Sequence, residues 1–522
     1  MTPQAELGIL YLFAIAAFVA FLAKRFDFPY AIGLVIVGLG IGNLTDLNLP
    51  HLSKELLFLV VLPGLLFEAA FQLKTSEVKE VKWTIAALAV PGVIISVGLT
   101  GLLVWGGLEA LTPGGMSLMA AFLFASLICA TDPVSVLSVL RSLGVNKTLA
   151  VTMEGESLFN DGTAVVLFTI ILAMVGGATV TLASGSLDFL RITLGAAVVG
   201  VGVGMVVSLA TRAVDDPLIE ITLTLLCAYG AFVIAEMGHL SGVIACVVAG
   251  MIAGNWGARV GMSAPTRVAV ESFWTYAAFA LNSLIFLLVG NEINLATLIG
   301  YLPHIGLAWL AVLIVRAGVI YGKDALQRLM GLPHAPWSWS TVMIWGGLRG
   351  GLSMVLALAI PRDFEFRDLI LNLTFGTVLL SLVFQGLTIK PLIAKLGLSS
   401  RSSAEDLDYE RALGALRAAE AAAAEAERQF SQGRISKGSY TSAVQALKTR
   451  TDALRARIEE LSDRHPALEA SRQLANARHL LLIEKDSLRD SLRLGLISQA
   501  AFDALSNELD DQLHHYHLHH HG

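Results

Sequence analysis

The sequence predicts an all-helical, polytopic membrane protein with about thirteen transmembrane helices, two of them broken, and a cytoplasmic helical tail. Three observations carry that prediction. The 522 residues are 55% hydrophobic and only 15% charged, too little charge for a soluble chain of this size. Apolar runs near the ~20 residues that span a ~30 Å hydrocarbon layer recur from residue 8 to residue 396. Two of those runs carry proline, glycine and charge near mid-depth, as inverted-repeat transporters do where half-helices meet.

The first run, "LGILYLFAIAAFVAFLAKRF", has no basic stretch before it and no small-residue cleavage site after it. It reads as a retained helix rather than a signal peptide. Turn and charge signals then divide the chain into runs centred near 15, 38, 64, 95, 129, 162, 201, 227, 248, 279, 310, 350 and 380. The basic residues test this division. Alternate loops hold Lys24 and Arg25; Lys74, Lys79 and Lys82; Arg141 and Lys147; Arg212; Arg259 and Arg267; Lys323 and Arg328; and Lys390 and Lys395. The intervening loops hold only Lys54, Arg191, Arg362 and Arg367. The bias places the N-terminus outside and the C-terminus in the cytoplasm. Cys129, Cys227 and Cys246 lie singly inside apolar runs, so no metal cluster or disulfide framework is expected.

Residues 1–397 form the expected membrane domain and 398–522 the tail. The tail is rich in Ala, Glu and Arg, strong helix formers, and carries a weak internal echo between "GRISKGSYTSAVQAL" (433–447) and "GLISQAAFDALSNEL" (495–509). Two similar helix-turn-helix pieces account for it, with an unknown regulator of the tail as the alternative. The closing "HHYHLHHH" reads as a disordered end or a tag.

The fifth run contains Thr131, Asp132 and Pro133 near its middle. Proline removes a backbone donor and turns Asp132 away from helical angles. The twelfth surrounds Arg349 with four glycines. Such breaks survive in lipid only where protein or water covers them. Ionisable groups at this depth are costly and mark functional sites; Glu68, Asp132, Glu156, Asp161 and Arg349 are the candidates. Ser157 and Asp161, spaced i, i+4, share one helix face, and Glu156 and Asn160 share the neighbouring one. Arg349 stays charged and needs a permanent anion, for which Glu156 is the expected partner in a buried structural pair. Asp161 is left for chemistry. Burial disfavours a bare carboxylate, so it can trade a proton for a cation, with the oxygens of Thr131 and Ser157 as further hard ligands. All five charges acting only as packing ion pairs is the plain alternative.

"FE" at 67–68, "ATDPV" at 130–134, "GESLFNDG" at 155–162 and "GGLRGGLS" at 346–353 together resemble the cation/proton antiporter-1 family, whose members are the NhaP-type sodium/proton antiporters and the animal sodium/proton exchangers. The resemblance covers residues 8–396. It implies thirteen helices, a moving six-helix core, a fixed dimerisation domain, and a homodimer working by elevator-like alternating access. It implies a secondary transporter, without cofactor or nucleic-acid partner, exchanging sodium and lithium for protons in a bacterial inner membrane and serving pH homeostasis and sodium tolerance. Carried over, Asp161 matches the ion- and proton-binding aspartate and Asn160 the asparagine that marks the electroneutral branch. Ser157 and the Thr131 backbone match cation ligands, and Glu68 and Asp132 match acidic positions lining the site. Glu156 and Arg349 match an ion pair between the sixth and twelfth helices. Potassium in place of sodium, a passive cation channel, and an intramembrane aspartyl protease using Asp132 and Asp161 are the rival readings.

Overall fold

The computed structural model describes residues 3–44 except 27, 57–398 except 333, 404–464 except 433, and scattered positions between 481 and 509. The chain divides into two compact units, Met1–Ser400 and Arg401–Gly522.

In the first unit, α1 is Pro3–Phe26, α2 Tyr30–Leu44, α3 Leu57–Gln72 and α4 Thr75–Leu111. The fifth apolar run splits into α5, Leu118–Ile128, and α6, Val134–Ser142. Then come α7, Lys147–Val175; α8, Leu182–Thr211; α9, Pro217–Met237; α10, Gly242–Gly257; α11, Ala264–Glu292; and α12, Leu302–Leu329. The twelfth run splits into α13, Trp337–Trp345, and α14, Gly351–Leu358; α15, Arg367–Lys395, ends the unit. Each of the thirteen runs therefore falls on a helix or on a pair of half-helices. Among the described residues there is no strand, and seven helices are by themselves long and apolar enough to cross a membrane.

Local chemistry sets the helix starts. Asn146 accepts the Thr148 amide at 2.8 Å and opens α7. Asp216 accepts the amides of Leu218 and Ile219 ahead of Pro217, opening α9. These are side-chain caps on otherwise unpaired N–H groups. Wide π-type turns open α3 at Leu57–Val61, interrupt α4 at Leu88–Gly92 and α15 at Ser381–Gln385, and close α10 at Ala253–Gly257. Such turns re-aim side chains and recur at functional sites.

Close backbone approach holds α2 to α11. A Cβ on Gly38 would stand 2.1 Å from the Leu287 carbonyl oxygen, and one on Gly290 would stand 2.2 Å from that of Val35. Backbone cannot swing away as a side-chain tip can. Gly38→Val is expected to pry the helices apart at a cost of ~1–3 kcal/mol or more, read as a lower melting temperature and folded yield in detergent.

In the second unit α16, Ala404–Ser431, and α17, Lys437–Arg464, form an antiparallel hairpin. Phe430 stacks on Tyr440 at 4.5 Å between ring centroids. Arg455 pairs with Glu420 at 2.8 Å, and Ala412, Ala419 and Leu461 are buried. The first copy of the sequence echo supplies the turn and the start of α17. Seven of the fifteen residues of the second copy, and the histidine-rich end, lie outside the described residues.

Candidate cation-binding site

The two broken helices meet at their breaks. In the gap between α5 and α6, the Asp132 amide donates to the Leu348 carbonyl in the other gap at 2.8 Å. Asp132 Oδ1 accepts the Val134 amide at 3.0 Å and caps α6. The open carbonyl end of α5 carries partial negative charge. Arg349 satisfies it, with Nη1 donating to the carbonyls of Cys129 and Ala130 at 2.9 and 3.1 Å. Arg316, from α12, does the same for α13, donating to the Met343 carbonyl from Nε at 3.0 Å and from Nη2 at 2.9 Å. Helix α15 completes the crossing. Ser381 Oγ accepts the Arg349 amide at 3.1 Å, and Gln385 donates to the Trp345 carbonyl at 3.0 Å. Each orphaned carbonyl end of a half-helix thus meets a cationic donor.

The amide end of α14 has no side-chain cap of its own. The Asp132 carboxylate lies against it: a Cβ on Gly350 would stand 2.3 Å from Oδ2. Asp132 therefore sits at the amide ends of two half-helices, where negative charge is favoured. Gly350→Ala is expected to displace that carboxylate and lower transport severalfold, checked by flux in vesicles holding equal amounts of folded protein.

Helix α7 presents two faces to this crossing. Ser157 Oγ donates to the Thr131 carbonyl. Asn160 donates through Nδ2 to Thr131 Oγ1 at 2.7 Å and accepts the Thr131 amide at 3.4 Å. A cavity of about 330 Å³ is lined by Glu68, Thr131, Asp132, Ser157 and Asp161, with Arg141 and Glu154 also in its wall. Among the described residues, Asp161 Oδ1 is buried without a hydrogen-bond partner. The donor set fits a hard cation: carboxylate, hydroxyl and carbonyl oxygens with no sulfur or imidazole among them. On the neighbouring face, Glu156, Asn160, Arg316 and Arg349 line a second cavity of about 20 Å³, room for one water. The division of α7 into two faces follows the i, i+4 spacing read from the sequence.

The expected pairing of Glu156 with Arg349 is corrected by these contacts. Glu156 is instead gripped by Arg316, Nη1 to Oε1 at 2.9 Å and Nη2 to Oε2 at 3.1 Å. The pair links the sixth and eleventh runs, while Arg349 spends its donors on backbone. The guanidinium fork of Arg316 matches a carboxylate edge-on, and the carbonyl end of α5 competes for Arg349. Arg316 was absent from the sequence candidates. Its signal was there, a lone arginine inside "LAWLAVLIVRAGVIY", which at membrane depth marks function or pairing.

Residues 12–395 match the family of transmembrane sodium/hydrogen exchangers. The chain belongs to that family. The Na(+)/H(+) antiporter ApNhaP of Aphanothece halophytica is 41% identical over 373 residues, 71% of this chain and 70% of that protein. The Na(+)/H(+) antiporter NhaG of Bacillus atrophaeus is 35% identical over 525 residues, 97% of each chain, so its likeness extends through the tail. Among solved structures, the sodium proton antiporter MjNhaP1 from Methanocaldococcus jannaschii at pH 8 has a TM-score of 0.63 at 22% identity, covering 75% of this chain and 99% of that one. That likeness carries the fold. The exchanger is an integral membrane transporter, not an enzyme, which removes the protease reading of Asp132 and Asp161.

Proposed function

We propose that this exchanger moves sodium, and lithium, against protons in a one-for-one, electroneutral exchange across the bacterial inner membrane. It works as a homodimer by elevator-like alternating access, with the N-terminus outside and the C-terminus cytoplasmic. The observation that carries the reading is the buried, unpartnered Asp161 oxygen in a cavity lined by hard oxygen ligands. A proton or a cation satisfies that oxygen, and the two compete. The bare carboxylate is too costly to carry across a low-dielectric barrier, so only a loaded site crosses.

Charge balance supports the one-for-one ratio. Arg316 and Arg349 bring two positive charges to the crossing and Glu156 one negative. Asp132, at the amide ends of two half-helices, is the second acidic side chain of the crossing. Asp161 then holds either one proton or one monovalent cation, and the cluster keeps the same net charge in both forms. Asn160 adds none, because a carboxamide does not ionise; its amide holds Thr131. The wall of the cavity carries Arg141, in the last turn of α6, and that end of α6 is cytoplasmic in the proposed orientation, so this conformation faces inward.

The test is proton flux in reconstituted vesicles under sodium, lithium and potassium gradients. Sodium and lithium are expected to drive proton movement at a rate unchanged when the membrane potential is clamped. A response to potassium alone would reassign the cargo. A rate that follows the clamped potential would overturn the electroneutral ratio, and currents without proton coupling would favour a channel.

A further inference from the structure

Glu154 and Arg141 line the ion cavity without touching the crossing of the broken helices. Glu154, Ser157 and Asp161 fall at i, i+3 and i+7 on α7, one stripe of a helix, and all three line the cavity. Two helical turns, about 10 Å of helix axis, separate the first carboxyl from the last. Helix α7 starts at Lys147, the cytoplasmic end in the proposed orientation, so Glu154 lies between Asp161 and the cytoplasm. Arg141 stands in the last turn of α6, at the end opposite the one that Asp132 caps. Its Nη2 is 3.4 Å from Glu154 Oε2, and its side chain is 62% exposed where that of Glu154 is 17% exposed. The pair thus runs from solvent into the cavity wall.

The other carboxyls at this end are held differently. Glu77 is closed by Lys147 at 2.7 Å and Lys74 at 3.8 Å. Glu68 accepts an uncharged donor, Gln72 Nε2, at 2.5 Å. Among the described residues, Glu154 is the one acidic side chain of the cavity wall with a cationic side chain on it. An exposed ion pair of this kind is weak, so it opens readily to a competing cation. We propose that Glu154 is the site where a monovalent cation enters from the cytoplasm, and that the Arg141 guanidinium is a tethered rival which the cation displaces on its way to Asp161. This assignment rests on the transport reading and its orientation. Removing Arg141 makes the mouth more negative and draws cations to it; removing Glu154 as well restores the balance.

Everted membrane vesicles carrying equal amounts of the full-length chain present the cytoplasmic face to added sodium. Proton flux is followed against sodium concentration at one alkaline pH, where protons compete least. Arg141→Gln is expected to lower the KM for sodium about two- to fivefold, and Glu154→Gln to raise it by a like factor. The maximal rate should change little in either, since an interaction made at entry acts on binding rather than turnover. The double variant is expected to return close to the unmodified KM, and Arg141→Lys to keep it. A packing role would instead raise KM in both single variants and further in the double. An unmoved or raised KM in Arg141→Gln, or a double variant no closer to the unmodified protein than Glu154→Gln is, would overturn the proposal while leaving the transport reading intact. Absence of sodium-driven flux from the unmodified chain would overturn both.

Discussion

Asp161→Asn leaves a folded protein whose sodium-driven proton flux falls on the order of a hundredfold or more, since each ~1.4 kcal/mol of lost cation affinity is tenfold. The amide nearly preserves the volume of the side chain, so packing in α7 is kept. It holds no exchangeable proton at working pH and offers a cation no charge. The buried Oδ1 has no partner to lose, so no structural hydrogen bond breaks there. Melting temperature and elution volume should therefore stay close to those of the unmodified protein while exchange disappears. Asp132→Asn makes the useful contrast. Asparagine still caps a helix start, so the Val134 contact is kept, but the carboxyl group at the two helix ends is gone. That variant should lose both transport and some stability. Retained exchange in Asp161→Asn would end the competition mechanism, whatever the second variant does.

Much of this site was open to reading before any coordinates. Pro133 and the glycines around Arg349 break the helix ladder for reasons local to the chain, so both breaks could be placed to within a few residues. The facing of Ser157 with Asp161 and of Glu156 with Asn160 follows from helical period alone. What period and composition do not carry is choice among equals. Two arginines, the half-buried Arg316 and the buried Arg349, could each have paired with Glu156. The decision comes from the α5 carbonyl end, which exists only because the helix breaks and which Arg349 reaches from another repeat. Nor could the wide turn at Ser381–Gln385 be seen, since "LLSLVFQGL" is a plain apolar run. That turn aims Ser381 at the Arg349 amide and Gln385 at the Trp345 carbonyl. Those contacts join residues 32 and 40 positions apart in sequence.

Arg316→Ala is expected to destabilise the membrane unit by ~3–5 kcal/mol, the cost of leaving a buried charge without its partner. In practice the folded yield should collapse. The side chain does two things at once: it closes both Glu156 oxygens and holds the Met343 carbonyl at the end of α13. Removing it strands a carboxylate and a helix end together. Arg349→Ala strands only the carbonyls of Cys129 and Ala130, so its loss should be smaller. A double-mutant cycle separates the two arginines. Glu156→Gln combined with Arg316→Gln should show a coupling of ~1–3 kcal/mol, because the first substitution removes the charge that the second would orphan. Glu156→Gln combined with Arg349→Gln should be close to additive, since neither side chain holds the other. Thermal melting in detergent reads both cycles. Strong coupling in the second cycle and none in the first would return the buried pair to the sixth and twelfth helices and would leave the carbonyl end of α5 without the cation assigned to it.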